Sequence, residues 1–112
     1  MSELTDKKCV PCEGGVPALS RAEAEALMPQ LDPGWKLAPD GTRIDRAFSF
    51  KDSFRTMSFV NAVAHVAHIE DHHPDLEIGY GYCRVRWNTH ALNGLSENDF
   101  ICAAKVDQIP LS

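Results

Sequence analysis

The sequence predicts an α+β fold: a four-stranded antiparallel sheet with three helices on one face, in the order α-β-β-α-β-β-α. Two observations carry this. Apolar residues alternate in two pairs of short runs, each pair joined by turn residues, as hairpins require. Three other segments show helix caps or apolar residues at three- and four-residue steps. Strands joined as hairpins and interleaved with helices make an α+β domain rather than a parallel α/β one.

Residues 1–18, with Cys9, Pro11, Cys12, Gly14, Gly15 and Pro17, read as a loosely ordered lead, and 19–112 as the single domain. The first helix begins in "LSRAEAEALMPQL": Ser20 is a good N-cap and Glu23 completes a capping box. Pro29 and the turn at Asp32–Gly34 stop it. "GWKLAPDGTRIDRAFSF" reads as two strands about a "PDG" turn, with Trp35 and Leu37 on the first and Ile44, Phe48 and Phe50 on the second. The second alternates imperfectly, which allows a bulge.

"DSFRTMSFVNAVAHVAHIED" is the main helix, capped by Asp52 or Ser53. Phe54, Met57, Val60, Ala64 and Ala67 form one apolar stripe, and Phe59, Val63 and Val66 a second. Two stripes exceed what one sheet face covers, so the second is expected to meet another subunit. Pro74 biases His73 away from helical angles, so the helix should end near His72 with both histidines at its exposed edge. Leu76, Ile78 and Tyr80 alternate, then Cys83, Val85 and Trp87 with shifted parity, and Gly79 and Gly81 lie between them as a hairpin turn. The last helix follows Ser96, with Asp99 at its third position and Leu95 and Phe100 placed to staple its start.

Bulk properties narrow the function. The chain has 112 residues, enough for one core. Its formal charge is −5 and no basic run is present, a poor match to nucleic-acid binding. No apolar stretch approaches the length of a membrane span, and the start lacks the apolar region of a signal peptide. The chain is therefore expected in the cytoplasm. Of four cysteines, Cys9 and Cys12 form a single CxxC without the second pair that a structural zinc site needs, and are expected as reduced thiols on the lead. Cys83 and Cys102 fall in apolar patterns as core residues.

The chemistry concentrates in "HIEDHHPDLEIGY", residues 68–80. His65, His68 and His72 share helix spacing suited to chelation, but such pairs arise readily in a histidine-rich helix and no HExxH motif is present. No metal is expected. Histidine can both give and take a proton near neutral pH. His72 and His73 leave the helix end in different directions, and His90 ends a strand paired with the one after Pro74. The three can converge on one pocket for proton transfer, or remain solvated.

The ordered series His68, His72-His73-Pro74, Tyr80, His90, Asp99 resembles the signature of the pterin-4a-carbinolamine dehydratases. "THALNGLSENDF", "FSFKDSFRTMSFVNAVA" and the lead "KKCVPCEGGVP" are also similar to that family, so the resemblance spans nearly the whole chain. His68 departs mildly, since many relatives carry an acid there. The resemblance implies dehydration of 4a-hydroxytetrahydropterin, a product of pterin-dependent aromatic amino-acid hydroxylases, to quinonoid dihydropterin, with no metal or redox cofactor. It implies acid–base work by His72 and His90, with His73 holding the pterin. Asp71, His72, His73, Asn88, Thr89 and His90 would contact the substrate. Asp99 would support His90 beside its capping role, and Trp35 would stand near the pocket or in the core. A homo-oligomer, dimer or tetramer, is expected. Two other readings stay open: a dimerisation cofactor for a transcription regulator, as vertebrate relatives are, and a dehydratase of molybdopterin metabolism.

Overall fold

The computed structural model describes residues 3–10 and 17–111, and within them every predicted helix and strand forms. Helix α1 spans Arg21–Leu27, and Ser20 and Glu23 make the capping box. Its end tightens into a 3-10 turn, Met28–Gln30, around Pro29. Strands β1 (Lys36–Leu37) and β2 (Ile44–Ser49) follow. Helix α2 (Ser53–Glu70) is capped by Asp52, whose side chain accepts from Arg55 N–H. Strands β3 (Asp75–Ile78) and β4 (Tyr82–Trp87) lead to α3 (Glu97–Val106).

The sheet order is β1-β2-β4-β3, antiparallel throughout, with helices on one face. Hairpins β1–β2 and β3–β4 meet along β2 and β4, where Ile44 pairs with Trp87 and Phe48 with Cys83. The period-2 pattern thus puts Ile44, Phe48, Cys83, Val85 and Trp87 into one core, all at most 4 % exposed. The other face is polar and carries Arg84 3.1 Å from Asp45 and Arg86 3.2 Å from Glu77. In the β3–β4 turn the Tyr82 ring lies over Gly79, where a Cβ would stand 2.0 Å from it and force the ring aside.

Three expectations are corrected. No bulge interrupts β2, whose register against β4 is continuous. The break in alternation is Arg46, which bonds Asp107 just after α3 at 2.7 Å and lies 4.2 Å over the Phe48 ring. On α2, Phe59 and Val63 belong to the internal core, with the Phe59 ring against those of Phe48 and Phe50. The large apolar residues of α2 left outside are Phe54, 84 % exposed, Met57, 46 % exposed, and Ile69, 51 % exposed. The sheet takes residues from both stripes, Phe59 and Val63 from one and Val60 and Ala67 from the other, a long-range choice that helix periodicity alone does not contain. The lead is not loose where it is described: Glu3–Asp6 forms a 3-10 turn and Leu4 is fully buried in the core. Cys9 is half-buried rather than free on a tail, while Cys12 lies outside the described residues. Cys83 and Cys102 are buried as expected.

Candidate active site

Helix α2 ends two residues earlier than predicted, and that ending builds the site. Asp71 adopts the left-handed conformation, φ 50°, and His72 N–H reaches back to the Ala67 carbonyl at 3.1 Å. This is the Schellman arrangement, which satisfies carbonyls that the helix end would leave bare. The chain swings so that the His72 ring enters the protein instead of lying on the exposed edge. Aspartate tolerates left-handed angles better than most non-glycine residues, while a β-branched residue does not. Asp71→Gly is therefore expected to keep or slightly raise stability, and Asp71→Val to lose about 1–2 kcal/mol. Urea unfolding measures both, and equal midpoints for the two variants would refute this account of the turn.

The His72 imidazole lies parallel to the Trp87 indole, with ring centroids 5.6 Å apart and planes 7° apart. Its Nε2 stands 2.5 Å from Oδ1 of Asp99, which has no exposure at all. Asp99 is held from the other side. Its Oδ2 accepts from the Thr89 hydroxyl at 2.8 Å and from the Ser96 N–H at 3.0 Å. The second contact is half of the α3 capping box, so one carboxylate caps a helix and orients a histidine. Sequence reasoning assigned Asp99 to His90; its partner is His72. With Nε2 donating to the carboxylate, Nδ1 becomes the basic nitrogen of the ring.

A cleft of about 300 Å³ opens beside this pair, lined by Asp71, His72, His73, Asn88, Thr89, His90 and Ala91. The volume is at the lower end for small-molecule sites. Two segments supply it: the turn after α2, and the stretch where β4 runs into a 3-10 turn at His90–Leu92. A bridge between Thr89 and Gly94 fixes that second segment, with Thr89 N–H bonding the Gly94 carbonyl at 2.7 Å. His73 and His90 are exposed, His72 half-buried and Thr89 buried. The cleft wall thus combines titratable groups open to solvent with one buried, oriented pair.

Other predicted residues stand apart. Trp35 is 3 % exposed, and its indole N–H bonds Asp107 at 2.7 Å, in the core and not in the cleft wall. His68 is exposed on α2 and does not line the cleft. Trp87 and Ala91 were missed as site residues; Trp87 reads in sequence as a plain strand core position, and only the turn at Asp71 brings His72 onto it. Among the described residues no group of three or more His, Cys, Asp or Glu is placed to hold a metal ion.

Behind the cleft, Glu70 accepts from Lys105 Nζ at 2.7 Å and from Cys9 N–H at 2.9 Å. Burial pushes its carboxyl up, but these hydrogen bonds and the Lys105 charge outweigh burial and hold it below the usual range. Glu70 therefore pins the lead and α3 to the end of α2 next to Asp71 and His72.

Comparison with known proteins agrees with this architecture. The family model described as pterin 4 alpha carbinolamine dehydratase matches residues 17–109. A protein of Nitrosomonas eutropha named "Putative pterin-4-alpha-carbinolamine dehydratase" is 62% identical over 110 residues, covering 98% of this chain and 96% of its own. One of the same name from Legionella pneumophila is 56% identical over 108 residues, 96% of each chain. A crystal structure from Brucella melitensis, titled a transcriptional coactivator/pterin dehydratase, superposes with a TM-score of 0.74 at 32% identity, over 80% of this chain and 94% of that one. A pterin dehydratase-like protein described as a RuBisCO assembly factor in the alpha-carboxysome shares the fold, with a TM-score of 0.57 at 23% identity, over 66% of this chain and 86% of that one. The match runs through both segments that form the cleft as well as the sheet beneath them, and the chain belongs to the pterin-4a-carbinolamine dehydratase family.

Proposed function

We propose that the chain dehydrates a 4a-hydroxytetrahydropterin to the quinonoid dihydropterin in recycling of the tetrahydropterin cofactor, with 4a-hydroxytetrahydrobiopterin as the substrate. The observation that carries this reading is the meeting of His72, His73 and His90 in one cleft, with His72 bonded to the buried Asp99. The C4a–O bond breaks as the hydroxyl accepts a proton and leaves as water. The N5–H proton goes to a base, and its electron pair forms the C4a–N5 double bond. No electrons are exchanged with a cofactor. His72 and His90 carry the two proton transfers, each worth about 10²–10⁴-fold. His73 and the polar groups of Asp71, Asn88 and Thr89 hold the pterin edge, and Asp99 positions His72. The substrate links the protein to an aromatic amino-acid hydroxylase.

Stopped-flow absorbance with chemically generated carbinolamine tests the reaction. Acceleration over the spontaneous rate, unchanged by prior dialysis against a chelator, is expected. No acceleration would overturn the reading.

The surface supports assembly as a homo-oligomer, a dimer or a tetramer. Phe54 and Met57 are exposed on α2, and Ile78, Tyr80 and Tyr82 are exposed around the β3–β4 hairpin, 44, 71 and 48 % respectively. Exposed apolar groups gathered this way mark interfaces. Phe54→Asp together with Met57→Asp is expected to shift the protein to a smaller species in sedimentation, without unfolding. An unchanged sedimentation coefficient would place the contact elsewhere. The same α2 surface would serve a foreign protein partner, the role named in the Brucella title. No helix among the described residues is long and apolar enough to cross a membrane. Its free thiols suit the cytoplasm, where we place it.

A further inference from the structure

Behind the candidate site, the lead crosses the corner where α2 ends and α3 begins. Cys9 N–H bonds Glu70 at 2.9 Å. Val10 and Asn98 exchange two bonds, Val10 N–H to Asn98 Oδ1 at 3.1 Å and Asn98 Nδ2 to the Val10 carbonyl at 2.6 Å. These contacts hold Cys9 Sγ 3.5 Å from Sγ of Cys102, a buried residue on α3 that is 93 positions away in the chain. Both thiols are free, and the proton-transfer chemistry uses neither. A disulfide needs the sulfurs about 2.05 Å apart. The approach required is about an ångström and a half, and Cys9 lies on irregular chain outside any helix or strand, so no helix or sheet ladder has to break for it.

We propose that Cys9 and Cys102 are a disulfide-forming site that low-molecular-weight disulfides oxidise, stapling the lead to α3. Cys9 is half-buried and Cys102 fully buried, so a small reagent meets Cys9 first. The hydrogen bond to Cys9, then burial, pushes the Cys102 thiol up, so it is the less reactive of the two toward the reagent. Cys9 as thiolate attacks one sulfur of the reagent RS–SR, forming a mixed disulfide and releasing RS⁻. Cys102 then attacks Cys9 Sγ, and its proton leaves with the expelled sulfur as the second RSH. Two protein thiols are oxidised by two electrons and one small disulfide is reduced to two thiols. The bond closes a loop spanning most of the chain, the case in which a cross-link restricts the unfolded state most. It also fixes to α3 the lead residue whose N–H bonds Glu70, the neighbour in sequence of Asp71.

The test uses the full chain, natively folded, incubated with oxidised glutathione and alkylated before trypsin digestion. Cleavage after Lys8 and Arg21 puts Cys9 and Cys12 on one peptide, 9–21, while Cys102 lies on 87–105. Expected is a cross-linked species of 9–21 with 87–105, retained in Cys12→Ser and absent in Cys9→Ser. The melting temperature should rise on the order of 10 °C and fall back on reduction. Peptide 9–21 closed on itself through Cys9 and Cys12, or both peptides carrying only alkylated or glutathione-bearing cysteines, would overturn the pairing. These readouts are thiol state and melting, so they stand or fall apart from the dehydratase reading.

Discussion

Replacing His72 by alanine is expected to lower turnover of a 4a-hydroxytetrahydropterin by about 10²–10⁴-fold, the range for losing one positioned acid–base group. The side chain lies at the end of α2 and faces the cleft, so its loss removes chemistry with little backbone change. His72→Gln is the sharper companion, because its amide can still bond Asp99 but cannot transfer the proton. His90→Ala should fall similarly, since the proposed reaction gives one histidine the role of acid and the other that of base. Asp99→Asn tests positioning: it keeps the volume but turns one oxygen into a donor, so His72 meets the wrong partner. Its signature is a displaced pH profile with the fold retained. Wild-type rates in both His72→Ala and His90→Ala would sink the acid–base assignment, and circular dichroism of each variant separates that outcome from unfolding.

The local parts of this structure are legible in the sequence because they depend on near neighbours. Ser20 with Glu23 and Ser96 with Asp99 each announce a helix start by an i, i+3 pair, and both capping boxes form. Strand alternation places Ile44, Phe48, Cys83, Val85 and Trp87 on one face without knowledge of the partner strand. What the sequence leaves open is decided at long range. Arg46 looks like an error in a strand until Asp107, at the end of α3, arrives to pair it. Which members of the two α2 stripes are buried is set by the sheet, which takes some from each. Trp35 is claimed by Asp107 rather than by the cleft. His72 turns inward because one residue, Asp71, takes a left-handed angle, and Asp99 can then bond it instead of His90. Gathering the site residues needed only the order of the hairpins; pairing them needed the turn.

The largest stability effect is expected at Trp87. Its side chain has no exposure, stands opposite Ile44 across the sheet, and carries the His72 ring on its face. Trp87→Ala leaves a large hole in a core that cannot close around it, a loss of about 3–5 kcal/mol. For a domain whose whole stability is about 5–15 kcal/mol, that approaches unfolding. Trp87→Phe should behave differently. The indole Nε1–H is buried and unpaired among the described residues, so removing it discards a donor whose burial is already unfavourable. Phenylalanine keeps most of the apolar area and a ring for His72 to lie on. The expected loss is within about 2 kcal/mol, set by the smaller volume alone. Urea unfolding of both variants decides between this and a polar role for the indole. If Trp87→Phe proved as damaging as Trp87→Ala, the N–H would have to hold a partner, and the stack under His72 would be a polar anchor rather than a packed apolar floor.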